Sequence, residues 1–465
     1  MKPKWILALA LLLTTTTQGR SAELRVGRAA VDITPAAGIP MNGPVRPNVP
    51  LTTAGPPHDP IHVKAVVLEE GGQRVALVVC DLTSIPLAMI EEARRLVGET
   101  TKIAPEAVMI SATHCHTVPQ IRQRFLVKAG EEVRRKATAY IDALPGKMAE
   151  AVRMAEADLK PARASAALGR EDSISFNRRF YLKDGSVKTN PFKGDDAKLD
   201  QVLRPTGPID PGVGVVSFVT EAGKPLATMV NFAIHLDTIG GEQPSADLPF
   251  VLGQRLAEVQ GPELLTVFVP GAAGNINHYD LLNPAGARRI KGPTETSRIG
   301  TILAAEVLRT QNQLVPMRST PLRMAREIVR LDYHPEKAKR LREQIKETPR
   351  HFDGEVEVTN EGGKVTFDAE VLAIALGDEL AWVGFPGEMF TEFGLTLKNA
   401  SPFRYTMIHT LANGAIGYVP NRRAYPEGSY EADATRCAPG SGERLVEAAT
   451  RLLIQLKGDS QAKPN

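Results

Sequence analysis

The sequence has nine histidines. Two of them, His114 and His116, sit one residue apart in the stretch ISATHCHTVPQ, Ile110 to Gln120. The preceding residues, Ala107 to Ser111, are apolar and β-branched enough for a short buried strand. On an extended backbone residues i and i+2 face the same side, so the two imidazoles are expected to point one way and Cys115 the other. Such a pair can share a metal, or one ring can bind it while the other moves protons. The same spacing also suits two hydrogen-bonded histidines on a half-buried strand. Three further apolar runs end in polar or metal-capable residues: NFAIHLD at His235, GAAGNIN at Asn277 and GFPGEMF at Glu388. In open α/β sheets, ligand sites gather beyond the carboxyl ends of strands. His114, His235 and Glu388 are therefore candidates for one site. Singly, His235 reads equally as a satisfied buried histidine, and Glu388 as the acidic first turn of a helix.

The elements that must position these residues alternate along the chain. Strand-like runs are Arg74–Leu82, Ala107–His114, Val213–Thr220, Leu226–His235, Leu264–Gly271, Ala369–Gly377, Leu380–Gly387 and Tyr405–Gly414. Helical patterns fall at Leu87–Val97, Ala137–Ala157, Pro249–Val259, Arg298–Gln311, Pro335–Lys346, Met389–Ala400 and Arg444–Lys457. Short turns after Thr220 and at Gly377 join neighbouring runs as hairpins. Alternating strands and helices with added hairpins predict a layered α/β fold with mixed sheets, helices packed outside, and the site at the strand carboxyl ends. No internal repeat or low-complexity linker divides the chain. The loop-rich stretches, Ala36–Pro60 and Lys183–Pro211, read as excursions from one core.

The first 22 residues combine Lys2 and Lys4, an apolar core from Trp5 to Leu13, and a small-residue end at Ser21-Ala22. That pattern predicts a signal peptide and export, because the apolar run is too short to span a bilayer. Residues 23–465 then form one catalytic domain. Cleavage would remove Lys2, Lys4 and Arg20 and no acid, bringing the 56 basic residues down to the 53 of the acidic ones. With no net charge and no basic block, nucleic acid is excluded as a partner. No later run is apolar enough to span a membrane, though peripheral contact remains open. Cys80, Cys115 and Cys437 are too few for a disulfide framework and leave at least one thiol free.

Five motifs in order carry a resemblance: SATHCHTVPQ, NFAIHLDTIGG with SADLP, GAAGNINH, FPGEMFTEFG and GYVPNRRAYPEGSYEA. From about Gly27 to Leu456 the chain resembles the neutral ceramidase family. The resemblance implies one zinc ion per chain, held by His114, His235, Glu388 and Tyr418. It places His116 beside the metal as a proton carrier, with Arg178, Tyr430 and Asn277 expected to stabilise the oxyanion. The implied reaction is hydrolysis of an N-acyl amide, ceramide or a related lipid or smaller substrate, by zinc-activated water.

Two departures accompany the match. The serine of the family motif N-x-G-D-x-S-P-N aligns with Asn277, which can donate a hydrogen bond but cannot act as a nucleophile. The chain also stops soon after the helix following SYEA, so the family's immunoglobulin-like domain is expected to be missing. These departures motivate an alternative, a zinc-binding but catalytically weak binding protein. A metallo-β-lactamase pattern fails because Val118 stands where an aspartate is needed. Neither a Walker loop, a nucleotide fingerprint, an HExxH motif nor a GxSxG elbow occurs.

Overall fold

Alternation along the strand Lys364–Leu376 sets the architecture. Leu372, Ile374 and Leu376 join one apolar core, while Val371, Ala373 and Ala375 join another. Successive side chains on a strand point to opposite faces, so this strand needs a packed layer on each side. The computed structural model, which describes residues 23–43, 51–192, 196–283, 291–317, 321–345, 351–353 and 356–461, supplies both layers. The expected signal segment, residues 1–22, lies outside the described residues.

Two mixed sheets form the centre. In the larger, the spatial order is Leu265–Pro270, Pro225–Phe232, Gly212–Thr220, Lys160–Arg170, Arg25–Asp32, His62–Glu70, Gln73–Cys80 and Val108–Ala112, with Val315–Pro316 on the side of Lys160–Arg170. The second runs His351–Asp353, Val356–Glu361, Lys364–Leu376, Leu380–Gly384 and Tyr405–His409, with Leu322–Asp332 paired to Lys364–Leu376. Most pairs are antiparallel. The exceptions are Gln73–Cys80 with Val108–Ala112, Pro225–Phe232 with Leu265–Pro270, and Leu380–Gly384 with Tyr405–His409. Those parallel pairs bring several strand carboxyl ends to one side, as the apolar runs predicted.

The sheets pack face to face, with Trp382, Tyr405 and Met407 of the second in one core with the first. Helices Leu87–Thr100, Glu131–Ala157, Leu248–Gln260 and Pro293–Gln311 cover the outer face of the larger sheet. Thr391–Ala400 and Ser441–Gln461 cover the second, with Pro335–Gln344 beside them. The result is a four-layer α/β/β/α arrangement, the layered mixed-sheet class read from the sequence. All seven expected helices are present within a turn or two of their predicted bounds.

Of the strands not foreseen, those of six residues or more are Arg25–Asp32, His62–Glu70, Lys160–Arg170, Leu322–Asp332 and Val356–Glu361. Lys160–Arg170 is rich in alanine, and Leu322–Asp332 carries charges on a half-exposed face. Neither has the apolar, β-branched run that marks a strand, and pairing with neighbours overrides local preference.

Asn231 ties the two sheets together. Its Nδ2 donates to the carbonyls of Val269, at 3.0 Å, and Ile408, at 2.7 Å, and its Oδ1 accepts from the Ile408 amide at 3.1 Å. Val269 belongs to the larger sheet and Ile408 to the smaller, so one buried carboxamide links both. Replacing it by leucine leaves three buried backbone groups without this partner, at about 1–3 kcal/mol each before relaxation. Asn231→Leu should therefore lower unfolding stability by about 3 kcal/mol, read from urea denaturation.

His409 ends the strand Tyr405–His409 with its ring fully buried, and Nδ1 lies 3.4 Å from the Ser111 hydroxyl. Burial pushes its pKa down to about 3. The unfolded chain takes up this proton near pH 6.5 and the folded chain does not, so the contribution is present above 6.5 and lost as the pH falls toward 3. One such proton gives a slope of up to about 1.4 kcal/mol per pH unit. His409→Leu should flatten the stability–pH curve between pH 6 and 4 relative to the parent.

Candidate metal centre and its cleft

The strand carrying the histidine pair ends at Ala112, earlier than its sequence suggests. The chain then turns, with Thr113 N–H on the Cys80 carbonyl at 2.8 Å and His114 N–H on the Leu82 carbonyl at 2.9 Å. His114 has φ of 67°, the left-handed region, which costs a residue with a side chain about 1 kcal/mol or more. His114 and His116 thus converge through a strained turn, not through the period of an extended strand. Cys115 does point away, its Sγ 3.1 Å from the Ala246 carbonyl. All three cysteines are free and buried.

His235 lies three residues beyond the end of its strand at Phe232. The His116 amide bonds the Leu236 carbonyl at 3.1 Å, which locks the two histidine segments together. The Nε2 atoms of His114 and His235 are 3.1 Å apart, those of His235 and His116 3.1 Å, and those of His116 and His114 3.4 Å. His114 Nδ1 donates to the Thr83 carbonyl at 2.7 Å, which turns its Nε2 toward the other two rings. His235 is oriented by a hydrogen bond to the Ala273 backbone.

Glu388 completes the cluster, with Oε2 3.2 Å from His114 Nε2. No donor is aligned on that buried oxygen. A two-residue parallel bridge pairs Glu388 with Tyr418, and the Glu388 amide bonds the Gly417 carbonyl at 2.9 Å. Close approach explains a glycine here: a Cβ on Gly274 would stand 2.4 Å from the Glu388 carbonyl oxygen. Tyr418 hydrogen-bonds both Glu388 and Arg178, and the Arg178 guanidinium lies 5.4 Å over its ring.

The electrostatics follow from burial and this packing. Burial pushes His116 and His235 well below the usual imidazole range, reinforced by the charge of His114. Burial opposes charge on His114 as well, but the Glu388 carboxylate outweighs it and raises His114 above that range. Burial alone would raise Glu388; His114 and Arg178 hold it below the ordinary carboxylate value. Burial, then Glu388, pushes Tyr418 well up.

Around this floor opens a cleft of about 550 Å³ lined by His114, His116, Glu388, Tyr418 and Tyr430, among others. His116 is the one partly exposed imidazole of the three. Tyr430 stands at the mouth, 57% exposed, its ring edge-on to Tyr418 at 5.4 Å.

Comparison with solved structures shows what this arrangement resembles. The chain matches the crystal structure of neutral ceramidase from Pseudomonas aeruginosa with a TM-score of 0.71 and 19% identity, over 94% of this chain and 75% of that one. A ceramidase complexed with C2 matches with a TM-score of 0.71 and 18% identity, over 96% and 77%. No protein-family model and no curated protein matches the sequence. The chain has the neutral ceramidase fold. The fold implied by the five sequence motifs is thereby borne out.

Within this neutral ceramidase fold, three of the residues expected at the site lie away from the cleft wall. His235 forms part of its floor. Arg178 is buried behind Tyr418, its Nε on Glu431 Oε1 at 2.7 Å and an Nη on the Gly274 carbonyl at 2.6 Å. Asn277 lies deeper, in a two-residue strand paired with Phe176–Asn177 next to Arg178. Its Oδ1 accepts from the Tyr279 amide at 2.9 Å and its Nδ2 donates to Asn190.

Glu431 escaped the sequence reading although it stands inside the SYEA motif. Its carboxylate is fully buried and also accepts from Arg179 at 3.0 Å and Thr189 at 2.6 Å. A signal was present: adjacent Arg178 and Arg179 require a counter-charge once buried. Removing one partner of a buried ion pair typically costs about 3–5 kcal/mol. Glu431→Gln should destabilise the fold by about 3 kcal/mol in urea titrations, a larger loss than surface pairs such as Arg95–Glu92 give.

Proposed function

We propose that this chain is an exported, metal-dependent amidohydrolase that cleaves an N-acyl amide, ceramide or a related compound. The observation that carries the reading is the convergence of three imidazole Nε2 atoms and an orphaned carboxylate oxygen on the floor of the cleft. Ligand atoms about 2.0–2.1 Å from a tetrahedral zinc stand roughly 3.3 Å apart. The Nε2 atoms of His114 and His235 lie 3.1 Å apart and Glu388 Oε2 lies 3.2 Å from His114 Nε2, close to that spacing, so these residues fit such an ion. A nitrogen and oxygen donor set with no thiolate suits a water-activating zinc.

In this reading His114, His235, Glu388 and Tyr418 hold one zinc ion. Bound there, the ion would polarise a carbonyl and lower the pKa of water. The remaining work falls to the chain's own groups. His116 Nε2, on the partly exposed side, takes a proton from the water that attacks the carbonyl carbon. It returns that proton to the amine nitrogen as the C–N bond breaks. Tyr430, at the mouth, offers a hydroxyl to the developing oxyanion. Arg178 acts through Tyr418, whose ring and hydroxyl it holds. Asn277 bonds Tyr279 and Asn190 beneath the cleft, so the absence of a serine there does not remove a nucleophile from it.

A lipid substrate would reach the enzyme by peripheral contact, since no described helix is long and apolar enough to cross a membrane. Elemental analysis of the purified chain should find one zinc, and a panel of N-acyl amides should include a substrate. His235→Ala should lose both metal and activity. His116→Ala should keep the metal and lose roughly 10²–10⁴ in turnover. If His116→Ala sheds its metal as completely as His235→Ala, His116 is a ligand and another group carries the proton. A metal-loaded chain inactive on the whole panel would instead favour the binding-protein reading.

A further inference from the structure

Asp247, the aspartate of SADLP, is buried and does not line the cleft. Its backbone has φ of 61°, in the left-handed region. That conformation is costly for a residue with a side chain and persists only where the surroundings impose it. The carboxylate accepts four hydrogen bonds. One comes from the Leu248 amide at 2.7 Å and caps the helix Leu248–Gln260. The other three come from the loop beyond His235: the Thr238 amide at 2.9 Å, the Ile239 amide at 3.3 Å and the Thr238 hydroxyl. Burial pushes its pKa up to about 6 although these bonds pull it down, so at neutral pH it is an anion that only accepts. The same loop is where the two histidine segments meet. Its Leu236 carbonyl takes the His116 amide at 3.1 Å, and its Ile239 carbonyl takes the Thr117 hydroxyl at 2.9 Å. Two residues before Asp247, the Ser245 amide donates to the Thr117 carbonyl at 2.9 Å, and the Ser245 hydroxyl accepts from the Asp247 amide at 3.0 Å. Asp247 thus closes a ring of hydrogen bonds through Ser245, Thr117 and Ile239.

We infer that Asp247 is a positioning residue, which holds the His116 and His235 segments in the register that brings their rings together. The inference rests on the amidohydrolase reading for the metal those rings serve, but the clamp itself stands on its hydrogen bonds. A serine would cap the helix about as well, and a glycine would relieve the backbone. Neither could satisfy three donors of the loop. A carboxamide would turn an NH2 group toward donors. The loop that Asp247 holds therefore accounts for a strained, buried carboxylate at this point, where a helix cap alone does not.

The test compares Asp247→Asn and Asp247→Ser with the parent and with Leu68→Ala. Leu68 is buried in the same sheet, at the end of its strand pair away from Cys80, so its truncation destabilises the fold without touching the clamp. Competition with a fluorescent chelator reads zinc retention, and hydrogen–deuterium exchange on the metal-free chain reads local opening. Both Asp247 variants should hold zinc roughly 10–100-fold less tightly. They should also exchange several-fold faster across residues 114–118 and 235–239. On an amide that the parent cleaves, kcat should fall with KM little changed. Leu68→Ala should match the parent in zinc retention and in the exchange of both segments. Faster exchange there in the Asp247 variants supports the inference even in a chain that takes up no zinc, and the amidohydrolase reading then fails alone. Parent-like exchange in the two segments reduces Asp247 to a helix cap and overturns the inference while leaving the hydrolase standing. An equal rise in Leu68→Ala overturns it as well.

Discussion

Three imidazole nitrogens facing one another across 3.1–3.4 Å need a proton or a cation among them. His116 and His235 resist protonation because burial disfavours their charged form. The chain meets the problem partly with Glu388, whose carboxylate permits one charged ring, His114. A cluster of this kind costs folding energy, so the surrounding structure must hold it against collapse. Much of the local architecture does that. The His114 turn is pinned by backbone bonds to the loop after Cys80, the His116 amide by Leu236, and Glu388 by the bridge to the tyrosine strand.

The two sheets supply the rigidity. His114 and His235 hang from strands of the larger sheet and Glu388 follows a strand of the smaller one, so the centre exists only while the sheets keep their relative position. Asn231 fixes that relation at the strand ends with three hydrogen bonds to backbone groups. On the far side, Glu431 draws Arg178 and Arg179 together with the segment that bears Tyr430. This couples a strand early in the chain to the C-terminal part of the site. Ion pairs so deeply buried recover little net energy over apolar packing. Their value here is geometric, because Arg178 must lie over Tyr418 and has little other freedom.

The sequence announced the strand ends better than the strands. Apolar runs ending in His114, His235 and Glu388 located three of the cluster residues, because a carboxyl-terminal strand end must bear polar groups if it opens on a site. Each run nonetheless outlasted its strand: Ala112, Phe232 and Gly384 are the last paired residues. Pairing stops where the backbone has to curve to deliver a side chain, and hydropathy does not register curvature. The left-handed φ of His114 is invisible for the same reason. Strands such as Lys160–Arg170 were missed because their alanines owe their strand state to neighbours far away in sequence. Glu431 was legible only as a motif letter. Its partner arginines lie about 250 residues earlier, and no local spacing links them.

The floor and the wall of the cleft come from different parts of the chain, and that separation has a chemical meaning. The floor is built from strand ends that cannot shift without disturbing both sheets. Lys337 and Arg436 come instead from a helix and a loop of the second layer, and Arg122 from the segment leaving the histidine turn. None of the three makes the backbone hydrogen bonds that set the imidazole spacing. A fold can thus keep one centre and vary what surrounds it, since function resides in the site and not in the fold. Asn277 fits the same logic from the opposite side: its carboxamide bonds the Tyr279 amide and Asn190 and so serves the packing beneath the cleft.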